Sequence, residues 1–419
     1  MKHFVLIFLL VFSSIFYGQT TAIPDANFEQ ALISLGLDSI LDGWVFTANI
    51  DSLTSLDVAS MNISSLSGIG DFSSLISLTC RNNPISSLNV NQNTALSILD
   101  CDNCQLSYIN LNQNTALTYF DCSYNLFTGL NLNQNIALTF LNCNYNQIAS
   151  LDLTQNNSLT QFRCIYNAIT SLDLTQNTVL SYLHCFSNPL GSLNVTQNTA
   201  LTFLNCGSIW LSSLDVTQNI LLSDLYCANN LLTTLDLSQN TALTSLQCHL
   251  NQLTTLDLSQ NTVLNTLRCD QNQLNCLNVK NGNNNNFSPT FFADSNPTLF
   301  CIEVDNVAYS TANWTYIDPQ TSFSTNCNNA CSGIITSINK TTFPTLSMHP
   351  NPTSGQITIS LEGLFTGSLR VFNSLGQAVL EDDFKATRGL DINLNEPSGL
   401  YFLQLEIDGK IITKKVLKE

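Results

Sequence analysis

The sequence predicts a mainly β repeat solenoid of short parallel strands, with an N-terminal helical cap and a small C-terminal β-sandwich. Three observations predict it. Cys80, Cys101, Cys122, Cys143, Cys164, Cys185, Cys206, Cys227, Cys248 and Cys269 fall at one unbroken interval of 21 residues, and a fixed period of this size signals a stacked array. The segment before each cysteine alternates apolar and polar residues, as a short strand with one buried face does. Beyond about residue 343 the period is gone, and alternating segments joined by Gly, Asn and Pro turns take over.

The chain opens with Lys2 and His3 before the apolar run FVLIFLLVFSSIF. Residues 1–18 read as a signal peptide, too short to span a membrane. No later segment reaches about 18 apolar residues, so no membrane span is expected in the mature chain. Residues 19–52 form the N-terminal cap. Within them PDANFEQALISLGLD places Phe28, Ala31, Leu32 and Leu35 on one helical face, with Gly36 as a stop. Repeat arrays need such a cap because the first coil leaves an open sheet edge.

Residues 53–275 form the solenoid. Its unit is L-x-x-L-x-C-x-x-N-x-L-x-x-L-x-L-x-Q-N-x-x, as in LTSLQCHLNQLTTLDLSQNTV at 243–263. Leu99 and Cys101 point inward, while Ile98, Asp100 and Asp102 point out. The Asn after each strand (Asn125, Asn146, Asn167, Asn188, Asn230, Asn251 and Asn272) supplies a side-chain amide to backbone groups orphaned by the buried turn. Cys104 and Ile209 replace it in their repeats, which predicts weaker turns there. A second corner carries Gln and Asn from Gln92-Asn93 to Gln260-Asn261.

Neighbouring coils lie about 4.7–4.9 Å apart with parallel Cβ vectors, whereas a disulfide needs Cβ atoms at about 3.5–4.5 Å turned toward each other. The ladder cysteines are therefore expected as reduced, buried thiols. A line of thiols does not offer the convergent tetrahedral set that zinc requires, and no metal or cofactor is expected. Residues 276–333, which lose the period, are read as the C-terminal cap with KNGNNNN (280–286) as a loop. Here Cys276, Cys301, Cys327 and Cys331 are the disulfide candidates, with Cys301–Cys327 the preferred pair. A linker at 334–343 leads to the β-sandwich at 344–419.

The repeat resembles the bacterial leucine-rich repeats of 21 residues, the class called IRREKO, over roughly residues 75–275. The first unit, Leu56 to Cys80, is one residue longer and closer to the internalin-like type. The C-terminal segment is similar to the type A C-terminal sorting domain of proteins exported by the type IX secretion system of Bacteroidota. That resemblance rests on Pro350-Asn351-Pro352, Gly355, VFNSLGQAV, Gly399-Leu400-Tyr401 and the terminal Lys414-Lys415. It implies export through the type IX machinery, removal of the domain on export, and a secreted or cell-surface location.

Of 13 basic residues, eight lie from Lys340 onward, and the formal net charge is −17. An acidic solenoid repels nucleic acid and anionic membrane. An outward column of Asp152, Asp173, Asp215, Asp236 and Asp257, interrupted by Asn131 and Asn194, offers either a cation ladder or simply a solvated edge.

Core and corner positions repeat because stacking demands it, so specificity belongs to the outward strand positions. One outward column reads Ile98, Tyr119, Phe140, Gln161, Tyr182, Phe203, Asp224. The next reads Asp100, Asp121, Asn142, Arg163, His184, Asn205, Tyr226. Ile165 and Phe186 follow the cysteines, with Tyr124, Tyr145 and Tyr166 beside them. Tyr119, Phe140, Arg163, Tyr182, His184, Phe186, Phe203 and Tyr226 are the candidate ligand contacts. The competing reading is that the rings only cover the sheet and pair between coils.

The expected function is adhesion or recognition of a protein or glycan ligand at the cell surface. A structural surface-layer or matrix role is the alternative, and a glycoside-active enzyme a weaker one. No catalytic residues are assigned: H-E-x-x-H, G-x-S-x-G, P-loop and dinucleotide motifs are absent. His184 and His249 lie three coils apart, about 15 Å by strand spacing.

Overall fold

The computed structural model describes residues 18–287, 290–327, 347–373, 377–407 and 410–419. Residues 1–17 of the expected signal peptide, the expected linker at 334–343 and Cys331 lie outside them. The chain divides into two compact units, Met1–Gly333 and Ile334–Glu419.

In the first unit, twelve short parallel strands among the described residues form one sheet from Ser55–Asp57 to Phe291–Phe292. From Ser77–Thr79 to Thr266–Arg268 these strands pair residue for residue at 21-residue offsets, for example Leu99↔Phe120 and Phe120↔Leu141. The first step, Leu56↔Leu78, is one residue longer. The inward strand residue and the cysteine two places later are fully buried in coil after coil. Each buried Leu, Ile or Phe contributes about 1.5–3 kcal/mol, and since no coil encloses them alone, stability belongs to the stack.

The cysteine ladder extends the strand pairing by one residue: the Cys101 N–H donates to the Asp121 carbonyl at 2.9 Å, and Cys122 to Asn142 likewise. All ten ladder cysteines and Cys104 are free and buried. Burial holds the ladder thiols from Cys101 to Cys269 above the ordinary range, to about 12 at Cys185 and Cys227. A thiol–thiol hydrogen bond with Cys104, then burial, raises Cys80, and the same bond lowers Cys104.

The corner asparagines tie successive coils together. Nδ2 of Asn146 donates to the carbonyls of Cys122, Cys143 and Asn144 at 3.0–3.1 Å, while its Oδ1 accepts from the Phe127 N–H. Four bonds from one amide satisfy a turn that would otherwise bury unpaired backbone. At position 104 the substituting thiol makes weaker sulfur contacts, to the carbonyls of Cys80 (3.4 Å) and Asp102 (3.8 Å). At position 209 the isoleucine side chain has no hydrogen-bonding group, and Asn230 of the next coil accepts from both Ile209 and Leu211. At the second corner, Asn114 donates to Val90 and Asn93, a pattern repeated through Asn261.

The N-terminal cap is helix α1 (Ala26–Ser34) within the connection between two antiparallel strands, Thr20–Ala22 and Trp44–Phe46. Asp25 caps α1 through Oδ1, accepting from Asn27 and Phe28, while Oδ2 accepts from Ser64 and Ser65 of the first coil. Partial burial raises the Asp25 pKa, but these hydrogen bonds outweigh it and hold the carboxyl below its ordinary value. Phe28, Ala31 and Leu32 join the solenoid core. Leu35 does not: it sits at the helix C-cap and is exposed, because Gly36 at φ +75° turns the chain away.

Coil winding continues beyond residue 275. Phe291–Phe292 extends the main sheet, and Thr255–Asp257, Cys276–Asn278, Cys301–Glu303 and Ser322–Ser324 build a second parallel sheet. Asn296 takes its place in the corner ladder, bonding to the Cys269 and Ala293 carbonyls. The period disappears from the sequence because insertions lengthen these coils, among them the segment holding α2 (Val307–Asn313). Closure comes from aromatics, with Trp314 stacked on Phe291 at 4.0 Å. A disulfide joins Cys301 and Cys327, and Cys276 is also disulfide-bonded.

The second unit is antiparallel β. Its five strands form one sheet among the described residues, rather than two separate sheets. The longest strands, Gln356–Asn373 and Ala378–Asn393, pair through several register shifts. Both halves of these strands feed one core of Ile357, Ile359, Leu369, Val371, Phe384 and Ile392 with residues of the last two strands. Bulges of this kind bend strands, so one folded sheet encloses a core as a sandwich would.

Candidate functional site

The outward face of the main sheet is built by the strands Tyr119–Asp121, Phe140–Asn142, Gln161–Arg163, Tyr182–His184, Phe203–Asn205 and Asp224–Tyr226. In-register pairing aligns equivalent side chains into columns one strand spacing apart, which is ring-stacking distance. Tyr119 stacks on Phe140, and Tyr182 on Phe203, each at 4.3 Å and within 5° of parallel. Gln161 occupies the column between the two pairs. Arg163, from the adjacent column, lays its guanidinium over both inner rings, 5.5 Å from the Phe140 centroid and 4.9 Å from that of Tyr182. Two aromatic pairs and one cation thus form a continuous stack over five coils.

His184 and Tyr226 meet this stack edge-on, each against Phe203. Burial, then the neighbouring Arg163, push the His184 imidazole down to about 4. The histidine is neutral at physiological pH and leaves Arg163 as the charge of this region.

A second aromatic row runs along the strand ends. Tyr124 stacks on Tyr145 at 4.3 Å, Tyr145 on Tyr166 at 4.9 Å, and Phe186 meets Tyr166 edge-on. These tyrosines remain 40–51% exposed. They occupy a left-handed corner position, φ 50–52°, which other coils fill with Asn82, Asn103, Ser187, Ser208, Asn229, Leu250 and Gln271. The corner therefore accepts varied side chains, and the tyrosines form a row because three successive coils carry them. Phe186 fits because the next coil has Gly207: a Cβ there would stand 3.0 Å from the Phe186 ring.

The structure therefore places seven of the sequence-predicted contact residues, half-buried, on the outward strand positions, and Phe186 in the row along the strand ends. It also shows the rings pairing between coils. The column reading missed the bridging role of Arg163, whose side chain leaves its own column.

The Asp column on the opposite corner has a local role. Oδ1 of Asp152, Asp173 and Asp215 accepts from both the backbone N–H and the hydroxyl of the Thr two residues on. Asn194 does the same through its Oδ1, which explains why Asn interrupts the column without breaking it.

In the second unit the motif residues converge on the last strand, Lys410–Lys418. Asn351, within Pro350-Asn351-Pro352, donates to the Lys415 carbonyl and accepts from the Leu417 N–H. Gly355 (φ +131°) lies against the Leu394 carbonyl, 3.1 Å from where a Cβ would stand. Gly399 pairs with Lys418 and Tyr401 with Val416, and the Tyr401 hydroxyl donates to the Pro397 carbonyl at 2.7 Å. Lys414 and Lys415 are exposed.

Residues 347–419 match the family model described as the secretion system C-terminal sorting domain. No curated protein matches the chain in sequence. In structure the chain is similar to the functional domain of InlJ from Listeria monocytogenes, described as including a cysteine ladder. That match has 22% identity, covers 96% of this chain and 99% of that one, and gives a TM-score of 0.55. An internalin (inlF) of Listeria monocytogenes is 21% identical over 65% of this chain and 96% of its own, with a TM-score of 0.45. At these identities the likeness is one of fold. No helix among the described residues is long and apolar enough to cross a membrane. The sorting domain directs the chain out of the cell by type IX secretion, to the surface or the medium. The chain is a leucine-rich-repeat solenoid carrying a type IX secretion C-terminal sorting domain.

Proposed function

We propose that this exported protein binds a protein or glycan ligand through the outward face of its main sheet, in adhesion or recognition, and performs no catalysis. The observation that carries the reading is the continuous Tyr119–Phe140–Arg163–Tyr182–Phe203 stack, flanked by the exposed Tyr124–Tyr145–Tyr166 row. Half-buried aromatics and arginine in a contiguous patch are the residue types that dominate binding energy at interfaces. Removal of the sorting domain on export is part of the same proposal. The test is an array of glycans and surface proteins probed with the full chain and with a variant in which Tyr119, Phe140, Tyr182 and Phe203 are Ser. Saturable binding that the folded variant loses supports the reading; equal binding by both sinks it.

A further inference from the structure

Arg163 is the one basic residue between positions 82 and 267 of a chain with net charge −17. The ion pairs among the described residues are Arg81–Asp100, Arg268–Asp270 and Arg370–Glu381, so Arg163 has no carboxylate partner there. Its Nε is buried without a hydrogen-bond partner. Across the coils of Phe140 to Asn205 the outward strand residues include no acid. Asp121, two coils away, accepts from Asn142 at 2.9 Å. This face therefore bears a single positive charge within an acidic molecule.

Arg268 shows what is missing. It occupies the same strand position, also lies over a ring (Phe292, 5.4 Å), and is closed by Asp270, which takes Nε at 3.3 Å and the terminal nitrogen at 3.2 Å. The residue equivalent to Asp270, two after Arg163, is Ile165. The fold thus builds the same arginine–ring arrangement twice and supplies the carboxylate once. Arginine matches carboxylates in a planar, two-pronged geometry, and a desolvated Nε without a partner is costly.

On the binding reading above, we infer that Arg163 anchors one carboxylate of a protein partner, an Asp or Glu side chain flanked by apolar residues that lie along the rings. A protein is favoured over a glycan because the rings are turned edge-outward. Phe140 is covered by Tyr119 and Arg163, and Tyr182 by Phe203 and Arg163, so neither offers the open face on which a sugar ring stacks. Edges and a single buried donor fit an acidic side chain between apolar ones.

The test pans a phage-displayed random dodecapeptide library against the full chain, with neutral and uronic-acid oligosaccharides titrated in parallel. Recovered peptides should centre on Asp or Glu beside apolar residues. Arg163→Gln should weaken them at least ~30-fold, the low end for truncating one partner of a buried charge pair. Arg163→Lys should recover part of that loss. Ile165→Asp, which installs the internal carboxylate seen at Asp270, should block the peptides equally while leaving the thermal midpoint near that of the native chain. Peptides that need Phe203 but show no acidic preference, and bind Arg163→Gln undiminished, would overturn the anchor while keeping the binding face. Binding indifferent to Phe203→Ser and to Arg163→Gln alike would overturn the binding reading itself. Uronic-acid oligosaccharides that bind through Arg163 where no peptide does would overturn the protein partner.

Discussion

At the residue scale, one amide carries each buried turn. Asn146→Ala removes three donated bonds and one accepted bond at a buried corner, and should destabilise the solenoid by about 2–3 kcal/mol, measured by urea unfolding. Cys104→Asn should act oppositely, gaining about 1 kcal/mol, because sulfur hydrogen bonds are weak where the Asn of other coils makes four amide bonds. The ten ladder cysteines should resist alkylation in the native state at pH 8 and react in denaturant. Rapid native labelling would contradict their burial.

At the element scale, the cap is fastened by Asp25, which serves the end of α1 and the first coil at once. Asp25→Ala should cost about 2–3 kcal/mol, a helix cap plus the bonds to Ser64 and Ser65. Hydrogen exchange should rise first in residues 20–65. The existence of this helix was legible in PDANFEQALISLG, because capping and periodicity are local. The exposure of Leu35 was not, because the angle at which Gly36 sends the chain away depends on what the helix packs against. The same limit applies beyond residue 275. Insertions erased the period from the sequence, yet Phe291–Phe292 and Asn296 still find the next sheet and ladder positions, because stacking against a finished coil selects register more strongly than spacing does.

At the scale of the whole molecule, the charge on the binding face follows pH through His184. Its folded-state value of about 4 lies below the ordinary 6.5, so between these limits the unfolded chain holds the extra proton. The stability this group contributes is complete above pH 6.5 and is lost as pH falls toward 4. His184→Gln should flatten that part of the stability profile, read from urea midpoints at pH 7.5, 5.5 and 4. An unchanged slope would show that His184 does not titrate as its surroundings dictate.

The sequence by itself determined the stacked architecture, the buried thiols, the corner amides and the set of residues on the outward face. Each of these follows from a period of 21, and register converts period into position. Only the tertiary structure decided how those outward side chains meet. Rings stacked at 4.3 Å turn their edges outward, and Arg163 leaves its own column to bridge Phe140 and Tyr182. Its neighbour at the position of Asp270 is Ile165, which leaves the guanidinium without the carboxylate that Arg268 has. Spacing specifies where a side chain starts, while the partners it finds across neighbouring coils depend on packing that no single repeat contains.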